Sequence, residues 1–237
     1  MNAVAHPAGD RPAAPLPSRF AALIFDFDGV LIESEALGNR EVAEWLTAAG
    51  HPTTPADAMR HFTGLAGVDF HAAVARWAGG TLPDGFQAAR VVNNQRAMAD
   101  GVEAVAGAVS FVEALPPTLP KAIVSSSSTD WIGRHLDHIG LRAAFGEHLY
   151  SGRQHVTRGK PAPDLYLYAA DRLGVDIARC AILEDSAVGV TGAVASGAFV
   201  IGLLAGTHCD AAHADRLRTL GASALAANFD EVAALIA

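Results

Sequence analysis

Two short apolar runs in the chain end in paired acids. Asp26-Phe27-Asp28-Gly29-Val30 follows Leu23-Ile24-Phe25, and Glu184-Asp185-Ser186 follows Ala181-Ile182-Leu183. Aspartate is a poor strand residue, and two carboxylates flanking an apolar Phe27 cost free energy unless a cation or hydrogen-bond donors compensate them. If the two runs lie side by side, Asp26, Asp28 and Asp185 can offer oxygens to one ion, with Glu184 beside them. Hard oxygen ligands without His or Cys suit Mg²⁺, which keeps waters and takes one or two carboxylates together with a phosphate oxygen. A third run, Ala122-Ile123-Val124, leads into Ser125-Ser126-Ser127-Ser128-Thr129, where hydroxyls and free amides ahead of a helix form an anion cradle. Taken alone, that run is more simply a polar turn with Asp130 as cap. Lys160, in Arg158-Gly159-Lys160-Pro161-Ala162-Pro163-Asp164, is the remaining charged group before a helix, and by itself it reads as a surface lysine.

The elements that would bring these groups together follow from the spacing of apolar residues. Continuous apolar runs predict buried strands over residues 21–25, 122–124, 181–183 and 199–201, with a weaker strand near Leu149. Ser34 is expected to cap a helix that buries Val42, Trp45 and Leu46 and stops at Gly50. After Pro52 and Pro55, helical patterns pass Met59, then Phe70, Val74 and Trp77, then residues 86–98, with no strand among them. Further helices are expected over 109–115, from the serine run to Gly140, over 164–173 and over 188–195, and the tail through Leu217 and Leu220 to Ile236 is expected to be helices covering one sheet edge. Strands alternating with helices predict an α/β fold, a Rossmann-like parallel sheet core with an inserted all-helical cap. Ligands of such a sheet collect beyond the carboxyl ends of the strands, where all the groups above would lie. The expected division is a flexible tail at 1–19, a core of 20–32 with 102–237, and a cap at 33–101.

Composition narrows the function classes. The 237 residues are 51% hydrophobic and 18% charged, ample for a folded core, and the net charge of −8 argues against a nucleic-acid or anionic-membrane binder. Cys180 and Cys209 form no CxxC pair, so neither a disulfide framework nor a zinc site is expected and a cytoplasmic location follows. No apolar run is long enough to cross a bilayer.

The four motifs, in this order, resemble those of the haloacid dehalogenase-like superfamily, in the branch with a helical cap after the first motif. Asp26-Phe27-Asp28-Gly29-Val30 is similar to the first, Ser126 to the second, Lys160 in Gly-Lys-Pro-Ala-Pro-Asp to the third and Glu184-Asp185 to the fourth. The resemblance implies a phosphatase of small phosphate monoesters, sugar phosphates included. Asp26 would be the nucleophile forming an aspartyl-phosphate, and Asp28 the acid and base. Ser126, Ser127 and Lys160 would hold phosphoryl oxygens, and Asp26, Asp28 (through its carbonyl), Asp185 and Glu184 would hold Mg²⁺ directly or through water. Thr63, Gly64 and Leu65 resemble the cap loop that touches substrate. The expected partner is a small phosphorylated metabolite, with no nucleic acid or membrane, bound by a monomer or weak homodimer.

Asp28 disfavours dehalogenation, which lacks the second acid, and the absence of lysine between Asp28 and Gly101 disfavours phosphonate hydrolysis. The β-phosphoglucomutase-like branch is the nearest rival, but the branch's cap His that gates the acid, its cap Arg for the distal phosphate and its Lys-Asn pair fall here at Gly38, Gly67 and Thr129-Asp130. A noncatalytic phosphometabolite-binding module would not require both Asp26 and Asp28. Elsewhere, His135 and His138 are expected on a solvated helix face, Trp45 and Trp77 in a helical core, and Arg158 either at the surface or beside the phosphate.

Overall fold

A computed structural model of the protein describes residues 18–63, 65 and 67–237. Most of the expected N-terminal tail, and Gly64 of the expected cap loop, lie outside these residues. The first strand, β1 (Ala22–Phe25), is buried along its whole length and runs straight into Asp26. Four helices then follow: α1 (Ser34–Ala48), α2 (Pro55–Phe62), α3 (Gly67–Trp77) and α4 (Phe86–Asp100). A capping box starts α2. Thr54 accepts from the Asp57 amide, the Asp57 carboxylate accepts from the Thr54 amide, and Pro55 occupies the first turn where its missing N–H costs nothing.

These four helices have an apolar core of their own, formed by Val42, Leu46, Phe62, Val74 and Phe86. Trp45 stacks edge-on against Phe86 at 5.2 Å, and Trp77 against Phe62 at 6.1 Å, so both indoles serve packing as their spacing predicts. The Trp77 indole also donates to Thr53 at 2.8 Å, which satisfies its single polar atom.

The chain then alternates: α5 (Ala108–Ala114), β2 (Lys121–Ser125), α6 (Thr129–His138), α7 (Arg142–Phe145), β3 (Leu149–Ser151), α8 (Asp164–Leu173), β4 (Cys180–Glu184), α9 (Ala187–Ser196), β5 (Phe199–Leu203), α10 (His213–Thr219), β6 (Ala224–Ala226) and α11 (Phe229–Ile236). The six strands lie in the order β3-β2-β1-β4-β5-β6, and every pair is parallel. This is the expected Rossmann-like α/β core with an inserted helical piece. One expectation fails: the tail contains β6, which pairs with β5 and extends the sheet, and is not helical throughout. Its three residues are too few to carry a periodic signal. Among the described residues, no helix is long and apolar enough to cross a membrane.

Alternation along each strand decides what reaches each face. Leu23, Phe25, Ile123 and Leu183 pack on one side with Phe111, Phe145 and Phe229. Ala22, Ile24, Val124 and Ile182 pack on the other with Tyr166 and Leu165 of α8. Asp26 and Glu184, at even positions, continue the second series, and Ser125 continues the first. The register places Ile24 beside Ile182 and Phe25 beside Leu183, and the Asp26 amide donates to Leu183 O at 2.9 Å, so the acids at the two strand ends emerge together.

Leu46, fully buried in the core of the four-helix insert, tests whether that piece is held by its own packing. Leu46→Ala should lower stability by about 2–5 kcal/mol in urea titration, from lost burial plus the cavity left behind. A loss under about 1 kcal/mol would show that the insert does not rest on this core.

Candidate active site

At the carboxyl ends of β1 and β4, oxygens of Asp26, Glu184 and Asp185 lie within 4.8 Å of one another, and all three residues are buried. Lys160 reaches this cluster from the segment before α8. Its Nζ donates to Asp26 Oδ1 at 2.7 Å, to Glu184 Oε1 at 2.5 Å and to Val124 O at 3.3 Å. Lys160 is thus no surface lysine, since its side chain is 4% exposed. Glu184 accepts from Lys160 and, at 2.6 Å, from the Tyr166 hydroxyl on Oε1, and from Ser186 on Oε2. Those bonds turn Glu184 toward the lysine.

The electrostatics follow from three carboxylates around one ammonium, two positive charges short of balance. Burial raises the Asp26 carboxyl well above its ordinary value and Glu184 adds to it, with Lys160 opposing. Asp185 is raised for the same reasons in the same order. For Lys160, burial disfavours the charge but Asp26 and Glu184 outweigh it, so the ammonium is held above its usual range. Asp185 Oδ1 is buried with no hydrogen-bond partner among the described residues. Gly29, at φ 81°, makes room for the Asp185 carboxylate, because a Cβ there would stand 2.1 Å from Asp185 Oδ2. An oxygen-only cluster short of two positive charges, with an orphan carboxylate oxygen, fits a hard divalent cation such as Mg²⁺.

Asp28 sits in a different environment. Oδ1 accepts from Ser34 Oγ at 2.8 Å and Trp131 Nε1 at 3.0 Å, and Oδ2 accepts from Ser125 Oγ at 3.0 Å and Ser127 Oγ at 2.8 Å. Asp28 and Asp26 therefore have separate sets of partners although only Phe27 divides them. The indole N–H can only donate, whereas each of the three serine hydroxyls around Asp28 can donate or accept.

The expected site residues separate as follows. Asp26, Lys160, Glu184 and Asp185 are brought together, and Asp28 lies next to them with Ser127. Ser126 is exposed, while its neighbours Ser125 and Ser127 turn toward Asp28. In the cap loop, Thr63 accepts from Asn39 Nδ2 at 2.9 Å and Leu65 is 40% exposed. Thr63 also lines a cavity of about 180 Å³ between α2 and the loop after β5, where Arg60, His208 and Arg216 contribute. A larger hollow of about 330 Å³ lies at the amino-terminal end of β2, beside Lys121 and Arg172, with no acid in its lining.

Two expectations are corrected, and for Arg158 one of two open positions is found. Ser34 does not cap α1: it is the first helical residue, Glu33 precedes it without a capping bond, and its hydroxyl goes to Asp28. His135 is fully buried against the Trp131 ring, centroids 4.1 Å apart, and only His138 is on the solvated side. Arg158 pairs with Asp164 at 2.8 Å on the surface and is not beside the cluster. The residues that local spacing did not disclose are Trp131, Tyr166, His208 and Glu35, each an ordinary helix or loop residue until the fold turns it inward.

Glu35, in the first turn of α1, is pushed up to about 7 by burial first and then by Asp185 and Asp28, with His208 and Arg90 opposing.

Residues 20–197 match the family described as haloacid dehalogenase-like hydrolase. The chain is 26% identical over 193 residues to the 6-phosphogluconate phosphatase of Escherichia coli K12, covering 81% of this chain and 86% of that protein. It is 30% identical over 182 residues to the fructose-1-phosphate phosphatase YqaB of the same organism, covering 76% and 94%. Among solved structures, a HAD family hydrolase of Deinococcus radiodurans with bound phosphate and sodium superposes with a TM-score of 0.79 at 35% identity, covering 92% of this chain and 96% of that one.

The raised Glu35 carboxyl makes the folded, metal-free protein bind a proton more tightly than the unfolded chain, so its contribution to stability declines as pH rises from about 4.5 to about 7. Glu35→Gln should therefore gain about 1–2 kcal/mol over the parent near pH 8, after allowance for solvent on the open side, and the gain should vanish below about pH 4.5. Denaturant titrations at both pH values check this, and a difference that does not vary with pH would refute it.

Proposed function

The chain belongs to the haloacid dehalogenase-like hydrolases and is a phosphoric monoester hydrolase of that family, and on this premise we propose that it hydrolyses small sugar phosphates through an aspartyl-phosphate on Asp26. The observation that carries the reading is the meeting of Asp26 with Lys160 and Asp185 at one strand end, with Asp28 separately held two residues on.

In the proposed reaction, an Asp26 oxygen attacks phosphorus and the bond to the ester oxygen breaks. Asp28 gives a proton to the departing alkoxide. Asp28, now ionised and stabilised by Ser34, Trp131, Ser125 and Ser127, then takes a proton from water, which attacks the acyl phosphate and releases inorganic phosphate and free Asp26. Lys160 places its positive charge beside Asp26 and a phosphoryl oxygen, while Glu184 and Tyr166 keep the ammonium in position. Ser126, exposed at the end of β2, and Ser127 supply hydroxyls and amides to the remaining phosphoryl oxygens. Mg²⁺, held by the Asp26 and Asp185 carboxylates and the Asp28 carbonyl oxygen, would supply the positive charge that lets an anionic nucleophile meet an anionic substrate.

The insert at 33–101 is read as a cap that closes over the site and excludes water. Thr63 and Leu65 are read as leaving-group contacts; Thr63 at the 180 Å³ cavity supports a small polyol or sugar, the class named for both Escherichia coli relatives. Unpaired thiols at Cys180 and Cys209 support a reducing cytoplasm as its setting.

Phosphate release from an aryl phosphate or 6-phosphogluconate with Mg²⁺ tests this. Asp26→Asn should abolish release, and unchanged release would remove Asp26 as nucleophile. Sugar-phosphate interconversion primed by a bisphosphate, if faster than release, would establish the phosphomutase alternative instead. Trp131→Phe deletes one hydrogen bond to Asp28, worth about 1.4 kcal/mol, and should lower kcat about tenfold with KM unchanged. A change confined to KM would place Trp131 in substrate binding.

A further inference from the structure

The loop after β5 meets the cluster at Asp185. His208 Nε2 lies 2.7 Å from Asp185 Oδ2, and both side chains are almost wholly buried, 1% and 3% exposed. His213, at the start of α10, directs its Nε2 to the Asp185 backbone carbonyl, so one loop holds both the side chain and the main chain of Asp185. His213 Nδ1 faces Arg216 Nη2 at 2.9 Å, and Arg216 is fixed in turn by Asp210 at 2.9 Å. The loop is tied down at its other end, where the Thr207 amide and hydroxyl donate to the Glu33 carboxylate. Gly206 makes room for the ring, since a Cβ there would lie 2.5 Å from His208 Cε1.

His208, Cys209 and His213 place ligand atoms within 4.8 Å of one another, which raises the alternative of a second, softer metal site. The hydrogen bonds exclude that arrangement as it stands. Both nitrogens of His213 are engaged. His208 Nε2 lies against Asp185 Oδ2 and Cys209 Sγ. Only His208 Nδ1 of these imidazole nitrogens lacks a partner among the described residues, so three free ligand atoms do not converge.

We propose that His208 is a positioning residue for the divalent-cation site: its Nε2–H holds Asp185 Oδ2 and thereby keeps the unpartnered Oδ1 free for the ion. The proposal rests on Asp185 being a cation ligand, as in the functional reading above. A carboxylate ligand without its outer hydrogen bond rotates among several orientations, and the loss of such partners typically weakens metal affinity about 10- to 100-fold. His208 does not touch substrate in this account; it acts through Asp185.

The test is Mg²⁺ binding to the metal-free full chain by calorimetry, with Asp185→Asn, His208→Phe and His208→Gln alongside the parent. Phenylalanine keeps the ring volume without the N–H, and glutamine restores a donor at nearly the same reach. The expected result is a Kd raised about 10- to 100-fold in His208→Phe and within about threefold of the parent in His208→Gln. Melting temperatures with and without Mg²⁺ give a second readout: the rise on adding Mg²⁺ should shrink in the Phe variant and survive in the Gln variant. A Phe variant that binds like the parent, a Gln variant as weak as Phe, or a loss of melting temperature equal with and without Mg²⁺ would each overturn the role of His208. Failure of the parent reading looks different, because the parent and Asp185→Asn would then bind Mg²⁺ equally.

Discussion

Three buried carboxylates share one ammonium at the ends of two neighbouring strands, and much of the surrounding structure answers that imbalance. A carboxylate removed from water without compensation costs several kcal/mol, so each oxygen in the cluster is either bonded to a fixed donor or left as a ligand position. Lys160 bridges Asp26 and Glu184, Tyr166 and Ser186 complete Glu184, and the imidazole of His208 takes one oxygen of Asp185. Of the oxygens that remain, Asp185 Oδ1 is buried without a partner among the described residues. The donors thus offset part of the buried charge, and the proposed cation would offset the rest.

The parallel sheet makes this possible. With β1 and β4 adjacent and in register, the residues after Phe25 and Leu183 leave the sheet together, and strand alternation sends Asp26 and Glu184 to the face covered by α8. Lys160 lies just ahead of α8 and so reaches the cluster from that face. Ser125 leaves β2 toward the opposite face, where α6 brings Trp131. The two faces of one sheet therefore supply two environments, an ion cluster around Asp26 and a ring of neutral donors around Asp28, a separation that suits a nucleophile and an acid–base group of different character.

The helical insert is connected to this chemistry at several points. Ser34 of α1 bonds Asp28, Glu33 just before it anchors Thr207 of the loop that carries His208, and Arg134 of α6 donates to Met98 O and Ala99 O near the end of α4. The links near the start and end of the insert thus run to the elements that hold Asp28 and Asp185. Its own apolar core lets the four helices pack as a unit.

Local sequence determined what local physics controls. Continuous apolar runs marked the strands β1, β2, β4 and β5, helical spacing placed Trp45 and Trp77 in the core of the insert, and paired acids after buried strands marked Asp26, Asp28, Glu184 and Asp185 as residues needing compensation. The roles of Ser34, Trp131, His135 and His208 depended on which elements become neighbours across more than ninety residues in the case of Trp131 and Asp28, and no local spacing carries that information. Ser34 has the type and position of a helix cap, and only the approach of Asp28 gives its hydroxyl a stronger acceptor. His135 looks solvated by pattern until the fold buries it against Trp131, and β6 is too short to show its period. Propensity and alternation act over a few residues and can be read directly. Which buried charge meets which donor is settled by packing alone, because desolvation and hydrogen bonding act between atoms that only the folded chain brings within 3 Å or so.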